Sequence, residues 1–510
     1  MTFESLLDGV EVLSQSGGAS VKGLDYDSRR VQPGWLFVAM RGETTDGNRY
    51  LDAAIKAGAV AVVTDSASEA QREGVAWAVV PHGRRALARI SANFYKHPAN
   101  RLKLIGITGT NGKTTTAYLV ESIFSAAQRK SILVGTIEYH VAGKVEPAPH
   151  TTPEALELQQ LFAQALANGA TDGVMEVSSH ALAQQRVYGV PFEVAVFTNL
   201  TRDHLDYHKD FDDYFAAKKL LFEGSGTEPP PFAVVNADHE YGQKLARCAK
   251  SRSQVFTYGL EAGEFRPLQL EVTGKGSRFD VETAAGKLAL WTPLIGRVNV
   301  YNVLAAVATG VARGFSGKAI VEGIAALDHV PGRFQRVDEG QPFSVVVDYA
   351  HTDDALRNLT AVARDFVARD SQRGRVITLF GCGGDRDKNK RPLMGDAAGK
   401  GSDFVVLTSD NPRSEEPMAI INDALPGLRA TGTRYSVEPE RRKAIATALA
   451  EAKPGDIVLI AGKGHEDYQI TSEGTHPFSD EQVAREALQG MGYGATPHNP
   501  ASRLKPAGAK

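Results

Sequence analysis

The sequence predicts an α/β protein of three domains, and three observations predict it. A length of 510 residues exceeds what one hydrophobic core organises, and at roughly 150 residues per domain it suggests about three. Short apolar runs alternate with amphipathic stretches through most of the chain, the pattern of strands alternating with helices. Polar passages carrying proline or glycine, Lys96-His97-Pro98-Ala99-Asn100-Arg101 and Val330-Pro331-Gly332-Arg333, separate blocks of that alternation.

In the first block, apolar runs at 35–40, 59–64 and 76–80 are expected as strands, and the amphipathic stretches 50–57 and 84–95 as helices. A new strand is expected at 102–108, followed by strands at 173–177, 194–199 and 255–258. Their nearly continuous apolar character suits parallel strands covered on both faces. Pro229-Pro230-Pro231 is expected as a rigid surface loop, because proline donates no ladder hydrogen bond. Strand, helix and strand restart at 344–349, 354–369 and 375–380, which opens a third domain. The expected domains are therefore 1–100, 101–331 and 332–490, with a Pro-, Gly- and Ala-rich tail at 491–510 expected to be disordered.

Composition narrows the function. An apolar fraction of 42% with 23% charged residues is ordinary for a soluble globular protein, and no apolar run approaches the ~18 residues of a membrane span. The start, Met1-Thr2-Phe3-Glu4-Ser5, lacks a basic region and an apolar core, so no secretory signal is expected and the cytoplasm is the expected location. Cys248 and Cys382 are far apart in sequence, which suggests neither a disulfide framework nor a zinc site. A net charge of −3 gives no footprint for nucleic acid. Partners are expected to be small molecules, and the chain a monomer.

The strongest local signal is Leu104-Ile105-Gly106-Ile107-Thr108-Gly109-Thr110-Asn111-Gly112-Lys113-Thr114-Thr115-Thr116: an apolar strand, a Gly-rich turn, then an amphipathic helix. Glycines let backbone N–H groups turn toward phosphate oxygens, and the helix N-terminus adds partial positive charge. Lys113 is placed to reach the outer phosphates and the Thr114 hydroxyl to ligate magnesium. Two residues rather than four separate Gly109 from Gly112, so the loop departs from the general P-loop spacing. Such a loop serves kinases, switches and ligases alike, and a plain strand-to-helix turn is the bland alternative.

The loop Gly109-Thr110-Asn111-Gly112-Lys113-Thr114 resembles the ATP loop of the Mur ligases and of the related folylpolyglutamate synthetases. Further motifs follow in that family's order: Asp27-Ser28-Arg29, Thr151-Thr152-Pro153, Glu176-Val177-Ser178-Ser179-His180, Asn199-Leu200-Thr201-Arg202-Asp203-His204-Leu205-Asp206, Ala217-Lys218, Asn299-Val300-Tyr301-Asn302, Asp348-Tyr349-Ala350-His351 and Asp410-Asn411-Pro412-Arg413. They cover roughly residues 25 to 485. The resemblance implies an N-terminal UDP-binding α/β domain, a central P-loop ATPase-like parallel-sheet domain and a C-terminal Rossmann-like α/β domain, with ATP and Mg2+ as cofactors.

It also implies roles. Gly109, Thr110, Asn111, Gly112, Lys113, Thr114, Thr115, Asn302, Arg333 and Asp348 are the implied ATP contacts, with ATP bridging the central and third domains. Thr114, Glu176, His204 and Lys218 are the implied metal set, and Lys113, Lys218, His204 and Glu176 the implied catalytic group. An ammonium has no lone pair, so Lys218 is implied to act as a carbamate formed with carbon dioxide; Lys219 stands beside it as an alternative. Glu176 read alone, at the end of an apolar strand where open α/β sheets bind ligands, suits magnesium, with an N-cap or surface acid as its bland alternative; His204 read alone is a satisfied structural histidine. Arg333 read alone is a linker arginine.

Ser28, Thr151, Thr152, Ser178, Gln184 and Arg186 match positions that hold a UDP-sugar dipeptide in the tripeptide-forming branch of the family. His150 stands where that branch has asparagine. Asp410, Asn411, Pro412 and Arg413 resemble the motif of relatives that add meso-diaminopimelate, with Arg386, Gly462 and Glu466 as the remaining contacts. That amino acid carries a distal carboxylate where lysine has only an ammonium, and a guanidinium grips a carboxylate through two parallel hydrogen bonds. The implied reaction is ATP-dependent addition to a D-glutamyl γ-carboxylate through an acyl phosphate. Lysine addition and an ATP-binding regulator that joins nothing are the rival readings.

Overall fold

The computed structural model describes residues 1–43, 45–69, 71–284, 286–368 and 374–494. The chain divides into two compact units. One comprises Met1–Thr201 and Tyr207–Asp328, and the other Arg202–Asp206 together with the chain from His329.

Among the described residues, the first unit holds a five-stranded sheet in the order Ser14–Ser16, Ala76–Val79, Ala59–Thr64, Trp35–Ala39 and Gly23–Asp25. All pairs are parallel except the one made by Ser14–Ser16. Side chains alternate across a strand, and here both faces are covered. Leu36, Val38, Ala61 and Val63 pack with Leu87 and Ile90 of the Gly83–Phe94 helix on one side. Phe37, Ala39 and Val62 pack with Leu51, Ala54 and Trp77 on the other.

The same unit carries an eight-stranded sheet, ordered Gln254–Tyr258, Phe232–Asn236, Phe192–Phe197, Lys103–Thr108, Asp172–Glu176, Ser131–Val134, Glu138–Val141 and Lys144–Pro147. The first six strands are parallel, and the last two turn back as antiparallel hairpins. Lys103–Thr108 is flanked on both sides, with Ile107 opposite Glu176 and Thr108 opposite Phe197. The carboxyl ends of three neighbouring strands therefore finish together, the edge where open α/β sheets bind ligands. A three-stranded antiparallel sheet, Leu268–Thr273, Gly276–Thr283 and Gly286–Thr292, was not anticipated from the βα pattern.

The second unit is built on a six-stranded sheet in the order Gln335–Val337, Ser344–Asp348, Ile457–Ala461, Val376–Cys382, Phe404–Ser409 and Arg434–Val437. Only Gln335–Val337 pairs antiparallel. Val376, Phe380, Val405 and Leu459 enter one core, and Ile377, Leu379, Val406 and Val458 the other. The expected helix at 354–369 is observed as Asp353–Ala368, and its last expected residue lies outside the described residues. The tail expected beyond 490 begins with the cap of the Asp480–Gly490 helix; residues 495–510 lie outside the described residues.

Candidate active site

After the Lys103–Thr108 strand the chain takes a path that favours glycine. Gly109 and Gly112 have φ of 149° and 87°, a region costly for residues bearing a Cβ. A Cβ on Gly109 would run into the Thr198 hydroxyl, and one on Gly112 would stand 2.5 Å from Asn302 Oδ1. The loop is held by its neighbours: Asn199 O accepts from Thr110 N at 2.9 Å, Asn199 Oδ1 from Asn111 N at 2.9 Å, and the Thr198 hydroxyl donates to Asn111 O at 2.7 Å.

Gly112 caps the Lys113–Ala126 helix, so Lys113, Thr114 and Thr115 form its first turn. There the backbone N–H groups lack intrahelical partners and the dipole favours anions. Lys113 Nζ donates to Gly109 O at 3.0 Å and Thr110 O at 2.9 Å. Asn302, on the Arg297–Ala312 helix, accepts from the Thr116 hydroxyl at 3.5 Å and donates to Asn299 Oδ1 at 3.0 Å. The structure thus brings together Gly109 to Thr115 and Asn302.

Of the two adjacent lysines on the Phe211–Glu223 helix, Lys218 points into this loop. It is 1% exposed, donates to Gly109 O at 2.9 Å and lies 4.4 Å from the Tyr214 ring centre. Lys219 pairs with Glu223 at 2.7 Å.

Glu176 ends its strand buried, and both carboxylate oxygens accept from Thr136, from its N–H at 2.8 Å and its hydroxyl at 3.0 Å. Thr136 was absent from the sequence expectations. Its only signal there is a position two residues beyond the apolar run 132–134.

Around Glu176 the expected substrate residues converge. Thr136 and Thr151 hydroxyl oxygens are 3.2 Å apart, and the Thr152 hydroxyl donates to Glu176 O at 2.9 Å while accepting from Ser178 N at 3.1 Å. Ser178 caps the Ser179–Ala183 helix by accepting from Ala181 N. Arg186 donates to Thr152 O at 2.9 Å and to Gln184 Oε1 at 2.7 Å, and pairs with Glu154 at 3.1 Å. Gln184 in turn donates to Glu43 at 2.9 Å. Ser28 is not joined to this group by a hydrogen bond among the described residues; its neighbours Tyr26 and Arg30 reach Glu157 at 2.9 and 3.1 Å. His150 contributes its carbonyl, which accepts from the Tyr139 hydroxyl.

For a magnesium ion, the Thr114 hydroxyl and the Glu176 carboxylate supply the hard oxygen donors that ion takes. Lys218 as an ammonium, donating to Gly109 O, has no lone pair to add. It joins such a set only once carbamate replaces the ammonium.

His204 lies in the Arg202–Asp206 segment of the second unit. Its Nε2 lies 3.4 Å from Asp203, which also faces His351 at 3.8 Å and Lys390 at 3.9 Å. Burial raises the Asp203 carboxyl, yet the facing His204, His351 and Lys390 hold it well below the usual carboxylate range.

Elsewhere in the second unit, Asp348 at the end of its strand accepts from Phe334 N at 2.7 Å and Ala350 N at 2.8 Å. Burial pushes this carboxyl up against the opposing charge of Arg333, whose guanidinium stacks 4.7 Å from the Tyr349 ring centre.

The Asp410-Asn411-Pro412-Arg413 turn follows the Phe404–Ser409 strand. Arg413 adopts a left-handed φ of 54° and donates to Gly384 O at 2.9 Å, while its N–H donates to Ile470 O at 3.0 Å. Burial and then the nearby Arg386 lower its pKa; both side chains border Gly383, where a Cβ would stand 3.1 Å from Arg413 Nη1 and 3.7 Å from Arg386 Cγ. Asn411 donates to Glu466 at 2.9 Å. Gly462, with φ of 120°, lies where a Cβ would stand 3.1 Å from Asp410 Oδ2. The expected amino-acid residues thus gather at the carboxyl edge of this sheet, together with an unanticipated one, the fully buried Lys463.

Residues 107–310 match the family model described as Mur ligase middle domain, 332–464 the Mur ligase glutamate ligase domain, and 20–95 the Mur ligase family catalytic domain. The chain is 55% identical, over 93% of its length and 95% of the relative's, to a Solibacter usitatus protein named UDP-N-acetylmuramoyl-L-alanyl-D-glutamate--2,6-diaminopimelate ligase. A solved structure of a ligase of that name is 33% identical with a TM-score of 0.67, covering 96% of this chain and 99% of the other. A MurF ligase from Thermotoga maritima, solved with ADP, shares the fold at 17% identity and a TM-score of 0.60, covering 92% of this chain and 97% of its own. Such identity along nearly the whole length, over motifs that the fold gathers at its strand ends, means that the chain belongs to the Mur ligase family.

Proposed function

We propose that the chain is an ATP-dependent ligase that joins meso-diaminopimelate to the D-glutamyl γ-carboxylate of UDP-N-acetylmuramoyl-L-alanyl-D-glutamate, in the cytoplasmic synthesis of peptidoglycan precursors. One observation carries this reading: the Asp410-to-Arg413 turn gathers the Arg413 guanidinium, with Arg386 nearby, and the Glu466 carboxylate around Asn411. A diamino diacid needs both charges, its distal carboxylate a guanidinium and its ammonium a carboxylate. The 55% identical relative named for this reaction supports it.

The γ-carboxylate attacks the ATP γ-phosphate, giving an acyl phosphate and ADP, and the diaminopimelate amine then displaces phosphate. Gly109 to Thr115 cradle the phosphates with backbone N–H groups, and Lys113 neutralises charge on the transferring phosphoryl group. Asn302, with Arg333 and Asp348 in the second unit, completes the proposed ATP contacts. Ser28, Thr151, Thr152, Ser178, Gln184 and Arg186 hold the UDP-linked substrate. Thr114, Glu176, His204 and carbamylated Lys218 are the proposed magnesium ligands, the ion supplying charge neutralisation. The proposed domains are 1–100 for the UDP substrate, 101–331 for ATP and 332–490 for the amino acid.

The test offers purified protein ATP, Mg2+, the UDP-linked dipeptide and equal meso-diaminopimelate and L-lysine, with products weighed by mass spectrometry. The diaminopimelate adduct alone is expected. A lysine adduct as the main product, or ATP hydrolysis indifferent to the dipeptide, overturns the reading.

A further inference from the structure

Lys463 is 0% exposed, a rare condition for lysine unless its charge is matched. Its Nζ donates to Asn411 Oδ1 at 2.8 Å and to Tyr468 O at 2.7 Å, and stands 3.5 Å from both Asp410 Oδ1 and Glu466 Oε2. Asp410 Oδ1 is itself buried without a hydrogen-bond donor among the described residues, and the Lys463 ammonium faces it at 3.5 Å, with Arg441 and Arg413 also within electrostatic reach of Asp410.

These contacts fix a direction. With Lys463 and Ile470 N both donating to Asn411 Oδ1, the Asn411 amide must turn its NH2 the other way. That NH2 is what donates to Glu466 Oε2 at 2.9 Å. The orientation of Glu466 therefore runs through Asn411 from Lys463, a group placed too deep to meet a ligand.

Resting on the diaminopimelate reading above, we propose that Lys463 is a positioning residue for amino-acid selection: it holds Asn411 and keeps Glu466 oriented and ionised to receive the substrate ammonium. Asp410 and Glu466 are like charges in one buried neighbourhood, and one ammonium between them lets Glu466 stay charged. Burial and then Asp410 raise the Glu466 carboxyl, and Lys463 and the Asn411 amide oppose them. Tyr349, Tyr468, Arg413 and Arg441 are further ionisable groups within electrostatic reach of Glu466. Without Lys463 the Glu466 carboxyl rises further, so its charged form is lost at higher pH.

The experiment measures pH profiles of kcat/KM for meso-diaminopimelate and for ATP, in the full-length enzyme and in Lys463→Met and Lys463→Met/Asp410→Asn variants. The single variant is expected to lower kcat/KM for the amino acid by about 10- to 100-fold at neutral pH, the scale of lost charged hydrogen bonds. It is also expected to move the acid limb of that profile upward while the ATP profile at saturating amino acid stays in place. Removing the like charge of Asp410 as well moves the limb back down. Should the single variant fail to fold, the double variant, which keeps the charge balance, decides: a limb close to wild type supports the proposal, and one displaced upward overturns it. An unmoved limb in the single variant, or an equal fall in both profiles, overturns the role of Lys463 alone. A wild-type enzyme that ignores meso-diaminopimelate overturns the proposed function and this inference with it.

Discussion

Lys113 and Lys218 donate to the same acceptor, the carbonyl oxygen of Gly109, at 3.0 and 2.9 Å. Lys113, beside a helix N-terminus, supplies positive charge suited to anionic phosphates, whereas Lys218 holds this carbonyl only until a carbamate replaces its ammonium. Lys113→Ala is expected to lower kcat by about 10²- to 10³-fold, the scale of losing one preorganised charge donor, without changing the denaturation midpoint. For Lys218, activity is expected to fall when dissolved carbon dioxide is stripped from the buffer and to return with bicarbonate; a rate indifferent to bicarbonate removes the carbamate from the account.

Gly112→Ala adds a Cβ at a φ of 87° and 2.5 Å from Asn302 Oδ1. Strain of about 1–3 kcal/mol and a displaced Asn302 are expected to weaken ATP binding at least about tenfold. Calorimetric titration with a non-hydrolysable ATP analogue checks this, and wild-type affinity contradicts it.

Arg413→Ala removes the guanidinium proposed for the distal carboxylate of meso-diaminopimelate. Loss of a desolvated charged partner costs about 2–5 kcal/mol, so kcat/KM for meso-diaminopimelate is expected to drop at least about 30-fold while that for L-lysine stays level or rises. Parallel steady-state assays with the two amino acids give the comparison.

His140 sits between two carboxylates, Glu121 at 2.7 Å on Nδ1 and Glu138 at 2.8 Å on Nε2. Burial lowers its pKa, but these two neighbours outweigh burial and hold it up to about 9, from an ordinary 6.5. A folded-state pKa above the unfolded one makes the stabilisation complete below about pH 6.5 and lost as pH rises through about 9. His140→Gln is therefore expected to be less stable than wild type by about 1 kcal/mol at pH 6, after allowance for solvent screening. That gap is expected to close by pH 10 in urea denaturation; one constant across the range contradicts the charged histidine.

The parts of this molecule that sequence made legible are those written in neighbouring residues. Strands such as Ala59–Thr64 and Ser344–Asp348 appear at their expected places because burial on both faces demands unbroken apolar runs. The nucleotide loop is equally plain, since its glycines and Lys113 lie within five residues. Thr136 clasping Glu176 across 40 positions, or Lys463 reaching Asn411 across 52, leaves no local trace, because a hydroxyl or an ammonium gains its meaning only from a partner the fold delivers. Arg441 and Asp480 likewise form a fully buried pair at 2.7 Å from positions that look like ordinary surface charges in helical sequence. The antiparallel sheet from Leu268 to Thr292 escaped notice because its first strand is largely exposed, which removes the apolar run that marked the others.

The central claim is that the γ-carboxylate of the dipeptide becomes phosphorylated before the amine attacks. Dipeptide substrate carrying ¹⁸O in that carboxylate, turned over with ATP and meso-diaminopimelate, tests it through the mass of the released phosphate. One ¹⁸O per phosphate is the expected result, the second staying in the new amide carbonyl; phosphate without label, the displaced heavy oxygen leaving as water instead, would contradict it.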